Sequence, residues 1–239
     1  MSDPGRATGG LRAVLFDMDG TLVQTEEYWG EALSELAEQL GGHLSAEARE
    51  TAVGTSMRRS MELLHADVGV VRTEEQALAD ARWVENRAGE LMGAGIPWRP
   101  GARELLETVR AAGLATALVT TTSRLLADVV LRSIEADLGE DPFDLTLCGD
   151  EVPARKPDPA PYLQAAASLG VGLGECVVVE DSVVGVTAGL AAGMAVLGVP
   201  ALQPVPAAPG LTRRGSLIGV DVEFLVGVLA ARAPELATR

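Results

Sequence analysis

Five short apolar runs recur along the chain, separated by longer segments whose apolar residues follow helical spacing. Continuous apolar runs of this length are typical of strands buried on both faces of a parallel sheet. The runs cover residues 13–16, 115–120, 145–148, 176–179 and 195–199. The helical segments cover residues 103–112, 124–134, 159–169 and 184–192. This alternation predicts an α/β fold with a doubly wound, parallel, Rossmann-like sheet.

An insertion separates the first two runs, because roughly ninety residues lie between them and a crossover needs far fewer. Segments rich in Ala, Leu and Glu predict four helices there, at residues 26–39, 46–51, 58–66 and 74–92. We therefore expect a core domain, residues 1–22 and 96–239, and a small helical cap domain, residues 23–95, with 93–100 as the return hinge. The Pro-rich segment 199–210 predicts a loop, and the apolar segment 217–231 is expected to close the sheet.

Two carboxylates follow the first apolar run. Asp17 and Asp19 stand two residues apart, and Gly20 and Thr21 allow a sharp turn after them. Carboxylates that leave a strand together are costly unless a cation or a proton neutralises them. The alternative is a strand that ends in an ordinary acidic turn.

A run of hydroxyl residues, Thr120 to Ser123, follows the second apolar run and opens onto a predicted helix. Hydroxyls and the free amides of a helix N-terminus suit a phosphate oxygen. Ser and Thr are also the preferred helix caps, and on this motif alone capping is the stronger interpretation.

Lys156 is the only lysine of the chain, since the other 18 of the 19 basic residues are arginines. This bias predicts a specific requirement for a compact ammonium beside this Pro-bounded helix start, and the alternative is a chance position. Glu180 and Asp181 directly follow the apolar run 176–179, and acids at the end of a buried strand rarely lack a partner. Two carboxylate pairs at one edge of a sheet would form an oxygen-rich pocket that selects a hard cation, foremost Mg²⁺.

Charge and composition narrow the class of partner. The chain carries 34 acidic and 19 basic side chains, a formal charge of −15, which disfavours nucleic acid and anionic membranes. Cys148 and Cys176 lack metal-ligand spacing and are expected to be buried and reduced. His43 and His65, both in the insertion, are expected at the surface. The apolar run 13–16 is too short for a signal peptide or membrane helix, so we expect a cytoplasmic protein.

The four strand-end motifs together resemble those of the haloacid dehalogenase superfamily in order and spacing. They are Asp17-Met18-Asp19-Gly20-Thr21, Thr120, Lys156-Pro157 and Glu180-Asp181-Ser182. The resemblance covers nearly the whole chain. It is strongest to the branch with a small helical cap, which contains sugar-phosphate phosphatases, phosphoglycolate phosphatases and beta-phosphoglucomutase.

The resemblance implies a magnesium-dependent phosphatase that acts on a small phosphate ester. Asp17 would attack phosphorus to form an aspartyl-phosphate, and Asp19 would serve as general acid and then general base. The resemblance also implies the residues that hold the ligands. Mg²⁺ would be held by Asp17, the Asp19 carbonyl and Asp181, with Glu180 in support, and the transferring oxygens by Thr120, the Thr121 amide and Lys156.

Other activities of the superfamily fit this sequence less well. A dehalogenase would need neither Asp19 nor the metal, and a phosphonatase would need a cap lysine, which this chain lacks. Beta-phosphoglucomutase relies on a cap histidine and arginine, whose places are taken here by Trp29 and Met57. A phosphomutase nevertheless stays open, as does a non-catalytic phosphate-binding module, although the latter would be expected to have lost one motif.

Substrate choice is expected to depend on the cap. The segment 54–59 predicts a polar loop in which Thr55, Ser56 and Arg58 could contact substrate, and Trp29 could face the site. The alternative is that Trp29 is an interior cap residue and that Arg58 is a solvated helix charge. The sequence does not identify the sugar, the pathway or the oligomeric state.

Overall fold

The computed structural model describes residues 9–52, 55–93, 95–200 and 204–232. The chain divides by contacts into two compact units. The core unit comprises Met1–Gln24 and Pro97–Arg239, and the inserted unit comprises Thr25–Ile96. The two chain segments that join the units run side by side within the core unit, where the Gln24 N–H donates to the Pro97 carbonyl at 2.8 Å.

A six-stranded parallel sheet forms the centre of the core unit. Its strand order is β3-β2-β1-β4-β5-β6. The strands are β1 Ala13–Phe16, β2 Ala115–Val119, β3 Leu145–Leu147, β4 Cys176–Glu180, β5 Ala195–Gly198 and β6 Leu211–Arg213. Every residue of β1 and β4 is buried, as expected for central strands covered on both faces. The predicted fold class is confirmed.

Nine α-helices lie within the described ranges. Four belong to the inserted unit: α1 Glu26–Gln39, α2 Ala46–Ala52, α3 Met57–Val68 and α4 Glu74–Met92. Five belong to the core unit: α5 Ala102–Ala111, α6 Arg124–Leu138, α7 Ala160–Leu169, α8 Val183–Ala191 and α9 Val222–Ala230. A short 3₁₀ helix, Leu173–Glu175, precedes β4. None of the helices in the described part of the chain combines the length and apolar character needed to span a bilayer.

Local sequence explains how the core helices begin and which face they bury. Ser182 caps α8 by accepting a hydrogen bond from the Gly185 N–H at 3.1 Å. In α5, the buried residues Ala102, Leu105, Leu106 and Val109 follow the spacing of one helical face. The helix α7 packs Tyr162, Ala165 and Ala166 into the same buried cluster as β1 and β4.

The expectation that residues 217–231 close the sheet is wrong. This segment contains α9, whose start is capped by Asp221 through a hydrogen bond from the Phe224 N–H at 2.8 Å. The sheet is closed instead by β6, which pairs with β5 in the register Val196↔Leu211. A short apolar run fits a buried helix as well as a strand, and here the capping aspartate selects the helix.

The inserted unit contains a buried ionic cluster that corrects a second expectation. His65 of α3 is buried, not at the surface, and its Nε2 lies 2.9 Å from Asp80 Oδ2 on α4. Arg72 Nε donates to the same oxygen at 2.8 Å. Asp80 lies 15 residues from His65 and 8 residues from Arg72, so the local sequence around His65 does not reveal these contacts. His43 is exposed, and both cysteines are buried and free, as expected.

Candidate active site

The polar and acidic residues that the sequence analysis singled out in the core unit lie together at the carboxyl ends of the central strands. Asp17 follows β1, Thr120 follows β2, and Glu180 is the last residue of β4. The strands are in register there, since Phe16 pairs with both Leu118 and Val179. Parallel strands bring all their carboxyl ends to one edge, which is where open α/β sheets bind ligands.

Lys156 links two of these acids. It lies between β3 and α7, and its Nζ donates to Asp17 Oδ1 at 2.7 Å, to Glu180 Oε1 at 2.6 Å and to the Val119 carbonyl at 2.8 Å. All three ammonium donors are therefore used, and the side chain is only 2% exposed. Burial alone would lower the pKa of this ammonium, but the charges of Asp17 and Glu180 outweigh it and raise the pKa above its ordinary value.

The Asp17 carboxyl is strongly perturbed. Burial and the charge of Glu180 raise its pKa, Lys156 lowers it, and the net pKa is about 7. In the protein without a metal ion, one nearby ammonium is therefore too little positive charge to keep this acid fully ionised at neutral pH.

Glu180 is fully buried, and both of its oxygens accept hydrogen bonds. Oε1 accepts from Lys156 and from the Tyr162 hydroxyl at 2.7 Å, and Oε2 accepts from the Ser182 hydroxyl at 3.1 Å. The carboxylate sits directly against Gly185, where a Cβ would lie 1.8 Å from Oε1. Only glycine therefore leaves room for the acid at this position of α8. Burial and the Glu180 charge raise the pKa of Tyr162 well above its usual value, so the phenol stays a donor.

Asp19 is held by the hydroxyl run after β2. Its Oδ2 accepts from the Thr122 hydroxyl at 2.7 Å and lies 3.4 Å from the Thr120 hydroxyl, which itself accepts from the Thr122 N–H at 3.1 Å. Thr121 lies between these two residues and is exposed. The N-cap residue of α6, Ser123, makes no side-chain capping hydrogen bond. The hydroxyl run instead contacts the second carboxylate of the first motif through Thr120 and Thr122.

Asp17, Glu180 and Asp181 form an acidic cluster that could hold a metal ion. One carboxylate oxygen from each lies within 4.8 Å of the others. The Thr21 hydroxyl donates to Asp181 Oδ1 at 3.3 Å and so orients that acid. With Asp19, four carboxylates face a single ammonium. An all-oxygen donor set with excess negative charge fits a hard divalent cation.

The predicted cap residues lie in the inserted unit. The Thr55 hydroxyl donates to the Ala52 carbonyl at 2.8 Å, and Ser56 caps α3 by accepting from the Arg59 N–H. Arg58 is 91% exposed and pairs with Glu62, and Trp29 is half-buried. Gly54, the first residue of the predicted loop, lies outside the described residues.

Sequence reasoning did not assign Thr122, Thr21 or Tyr162 to the site. The two threonines stand inside motifs that the sequence does reveal. Thr21 comes two residues after Asp19 and Thr122 two residues after Thr120, and this proximity was the available signal. Tyr162 lies 18 residues before its partner Glu180 on a different element. No local pattern marks it.

Comparison with known proteins agrees with this geometry. A family model described as haloacid dehalogenase-like hydrolase matches residues 11–193. Protein CbbY of Rhodobacter capsulatus is 32% identical over 194 residues, 80% of this chain and 86% of that protein. The phosphorylated carbohydrates phosphatase of Thermotoga maritima is 32% identical over 184 residues, 77% of this chain and 82% of that protein.

A solved structure agrees as well. The crystal structure of CbbY from Rhodobacter sphaeroides in complex with phosphate has a TM-score of 0.74 and 27% identity, covering 87% of this chain and 96% of that one. The sheet order and the acidic strand ends define a Rossmann-like enzyme with its active centre at the carboxyl edge. The chain belongs to the haloacid dehalogenase-like hydrolase family. The predicted family and enzyme class, a phosphoric monoester hydrolase, are confirmed.

Proposed function

We propose that this protein is a magnesium-dependent phosphatase that hydrolyses a small phosphorylated carbohydrate through an aspartyl-phosphate. The observation that carries the proposal is the buried ammonium of Lys156, which bridges Asp17 and Glu180 at the edge where Asp19 and Asp181 also lie. Such an arrangement holds one carboxylate ready for attack and surrounds it with groups that bind charged oxygens.

In the first half-reaction, an oxygen of Asp17 attacks phosphorus and the bond from phosphorus to the ester oxygen breaks. Asp19 donates its proton to the leaving oxygen, so the carbohydrate departs as a neutral alcohol. The Thr122 hydroxyl, 2.7 Å from Asp19 Oδ2, fixes the direction in which this carboxyl points.

In the second half-reaction, water attacks the phosphorus of the aspartyl-phosphate. Asp19, now ionised, accepts a proton from that water, and the bond from phosphorus to Asp17 breaks. Inorganic phosphate leaves and both acids return to their starting states. Lys156, the Thr120 hydroxyl and the Thr121 amide are the groups we assign to the transferring oxygens.

The residues present fit Mg²⁺. Asp17, the Asp19 carbonyl and Asp181 would hold it. Glu180 would support them, because its oxygens already accept bonds from Lys156, Tyr162 and Ser182. The bound ion would supply positive charge that offsets the repulsion between an anionic nucleophile and a phosphate dianion.

The name of a relative supports the substrate class, and the net charge of the chain supports the location. The name of the Thermotoga maritima relative refers to phosphorylated carbohydrates, which supports the sugar-phosphate or sugar-alcohol-phosphate class. Phosphoglycolate, a smaller phosphate ester, is a further candidate. We assign residues 23–95 to a cap domain in which Trp29, Thr55, Ser56 and Arg58 select the substrate. The acidic charge favours a small cytoplasmic substrate over nucleic acid or a membrane.

A phosphomutase is the second candidate, since the structural relatives include a putative beta-phosphoglucomutase from Thermotoga maritima. Trp29 and Met57 stand where that activity would need a histidine and an arginine, which favours hydrolysis. A non-catalytic phosphate-binding module would have no use for a perturbed nucleophile beside an acid and an ammonium.

Phosphate release tests the proposal. The assay uses Mg²⁺ and a panel of phosphorylated sugars, sugar alcohols and glycolate, with the Asp17→Asn variant as the blank. We expect release that stops with a chelator and returns with added Mg²⁺. Absence of release above the blank for every substrate would refute hydrolysis, and conversion of a sugar 1-phosphate into its 6-phosphate would establish the mutase.

The cap assignment has its own test. Replacing Thr55 or Arg58 should raise KM for the preferred sugar phosphate and leave turnover of p-nitrophenyl phosphate unchanged. Equal losses on both substrates would contradict it.

A further inference from the structure

Beside the candidate active site, a cleft opens within the core unit at the same edge of the sheet. Its walls include Gly20, Thr21, Arg99, Val199, Ser216 and Leu217. Gly20 and Thr21 belong to the turn after β1, and Val199 directly follows β5. The cleft therefore adjoins the acidic cluster without including any of its carboxylates.

The charge of this cleft is opposite to that of the chain. Among the described residues, Arg99 is the one ionisable side chain in the lining, and none of them contributes a carboxylate. The guanidinium is half-buried and has no hydrogen-bond or ion-pair partner among the described residues. Arg103, four residues on, is paired with Glu107 at 3.0 Å. In a chain with a net charge of −15, a half-buried guanidinium without a described partner, on a residue that lines a cleft, is an anion-binding feature.

The walls of the cleft are fixed by bonds that do not use the guanidinium. The Arg99 N–H donates to the Leu22 carbonyl at 2.8 Å, and the Ser216 hydroxyl donates to the Pro100 carbonyl at 3.3 Å. The segment around Leu217 packs so closely on Gly101 that a Cβ there would lie 2.3 Å from its backbone. The cation is thus presented from a preorganised wall, which lowers the entropic cost of binding.

We propose that this cleft is a binding site for a phosphate-sized oxyanion, with Arg99 as its counter-ion. The anion could be free inorganic phosphate or a second phosphate group carried by the substrate, since both offer the same oxygens to a guanidinium. Thr21 lines the cleft, and its hydroxyl donates to Asp181. An occupant would therefore lie next to a side chain that orients one of the acids of the metal cluster. The site is separate from the residues proposed to carry catalysis.

Calorimetric titration of the full-length protein with inorganic phosphate tests the site. The protein is first saturated with Mg²⁺ and beryllium fluoride, which occupies an aspartyl-phosphate position and leaves only the cleft for phosphate. We expect one remaining phosphate site, weakened about tenfold or more by Arg99→Gln and less by Arg99→Lys. Arg132→Gln, which removes an exposed arginine of α6, is the matched control and should bind like the parent.

Steady-state kinetics distinguish the two sources of the anion. If the occupant is part of the substrate, Arg99→Gln raises KM for a sugar bisphosphate and leaves KM for the monophosphate unchanged. If the occupant is free phosphate, both KM values stay and only the calorimetric site is lost. Either result supports an oxyanion-binding site in the cleft.

Two outcomes would overturn the proposal: no phosphate bound to the saturated parent, or equal binding to the parent and Arg99→Gln. Thermal melting of each variant checks that it is folded. If beryllium fluoride does not bind because the proposed function is wrong, the cleft is still tested. In that case the titration is made without it, and the parent should bind one phosphate more than Arg99→Gln.

Discussion

Replacing Tyr162 by phenylalanine removes one oxygen atom from the most enclosed part of the candidate active site at the carboxyl edge of the sheet. The hydroxyl donates to Glu180 Oε1 at 2.7 Å, and both residues are fully buried. Water cannot replace the lost donor, because Glu180 has no exposed surface. Lys156 remains bonded to the same oxygen, and its Nζ stays 5.0 Å from the ring centre, so the ring contact survives the change.

The expected cost follows from that geometry. A hydrogen bond to a charged group contributes about 1.5–3 kcal/mol, and the loss should appear in full because the site is dry. For a chain of this size, each kcal/mol corresponds to roughly 2–4 °C, so the melting temperature should fall by about 3–12 °C. Urea unfolding of the parent and of Tyr162→Phe measures the free energy directly, provided that the slopes agree.

The chain offers a matched control, since Tyr28 is its only other tyrosine. Tyr28→Phe likewise removes one hydroxyl. This hydroxyl donates to the Gly95 carbonyl at 2.9 Å, and the bond is exposed to water. Its cost should stay within about 0.5 kcal/mol. Equal stabilities of the parent and Tyr162→Phe, or equal costs for the two tyrosines, would refute the view that Glu180 depends on this buried donor.

Three further predictions concern the same unit. Lys156→Met leaves two buried carboxylates without a cation, so the free energy of unfolding in urea should fall by about 3–5 kcal/mol and phosphate release should be lost. Thr122→Val removes the 2.7 Å bond to Asp19, so kcat for a sugar phosphate should fall about tenfold, while Thr122→Ser should stay near the parent. Burial raises the pKa values of the Cys148 and Cys176 thiols to about 12, so at pH 8 a disulfide reagent should find about 10⁻⁴ of each as thiolate in the native protein and react with both only after unfolding.

One result would contradict each of these predictions. Full stability of Lys156→Met would mean that the acids are neutral or solvated and need no ammonium. Equal kcat values for the parent and Thr122→Val would mean that turnover does not depend on the hydrogen bond from Thr122 to Asp19. Rapid labelling of either thiol in the native protein would contradict its burial.

The sequence predicted the central sheet because strands buried on both faces carry a local signature. β1 and β4 read as unbroken apolar runs, and every residue in them is buried. The meeting of Asp17, Thr120 and Glu180 also followed, since all parallel strands end at one edge. Topology alone therefore predicted which side chains would be close, without any knowledge of their contacts.

The failures occurred where the outcome depends on distant partners or on a choice between two elements. The burial of His65 depends on Asp80 and Arg72, and nothing beside His65 in the sequence reveals them. The apolar segment that forms α9 fits a strand equally well by hydrophobicity, and only the cap at Asp221 distinguishes the two. Tyr162 had no signal, because an aromatic residue on a helix is ordinarily a core residue.

The single lysine of the chain agrees with the geometry of its surroundings. The three hydrogen bonds of Lys156 go to Asp17, Glu180 and the Val119 carbonyl, which lie on three different elements and suit a compact ammonium with donors in three directions. A guanidinium directs its donors into one plane and is larger, and a side chain that is only 2% exposed has no space for it. Composition and structure thus lead to the same requirement by independent routes. Since this one ammonium leaves Asp17 with a pKa of about 7, a further cation at the carboxyl edge of the sheet would favour the ionised form of this acid.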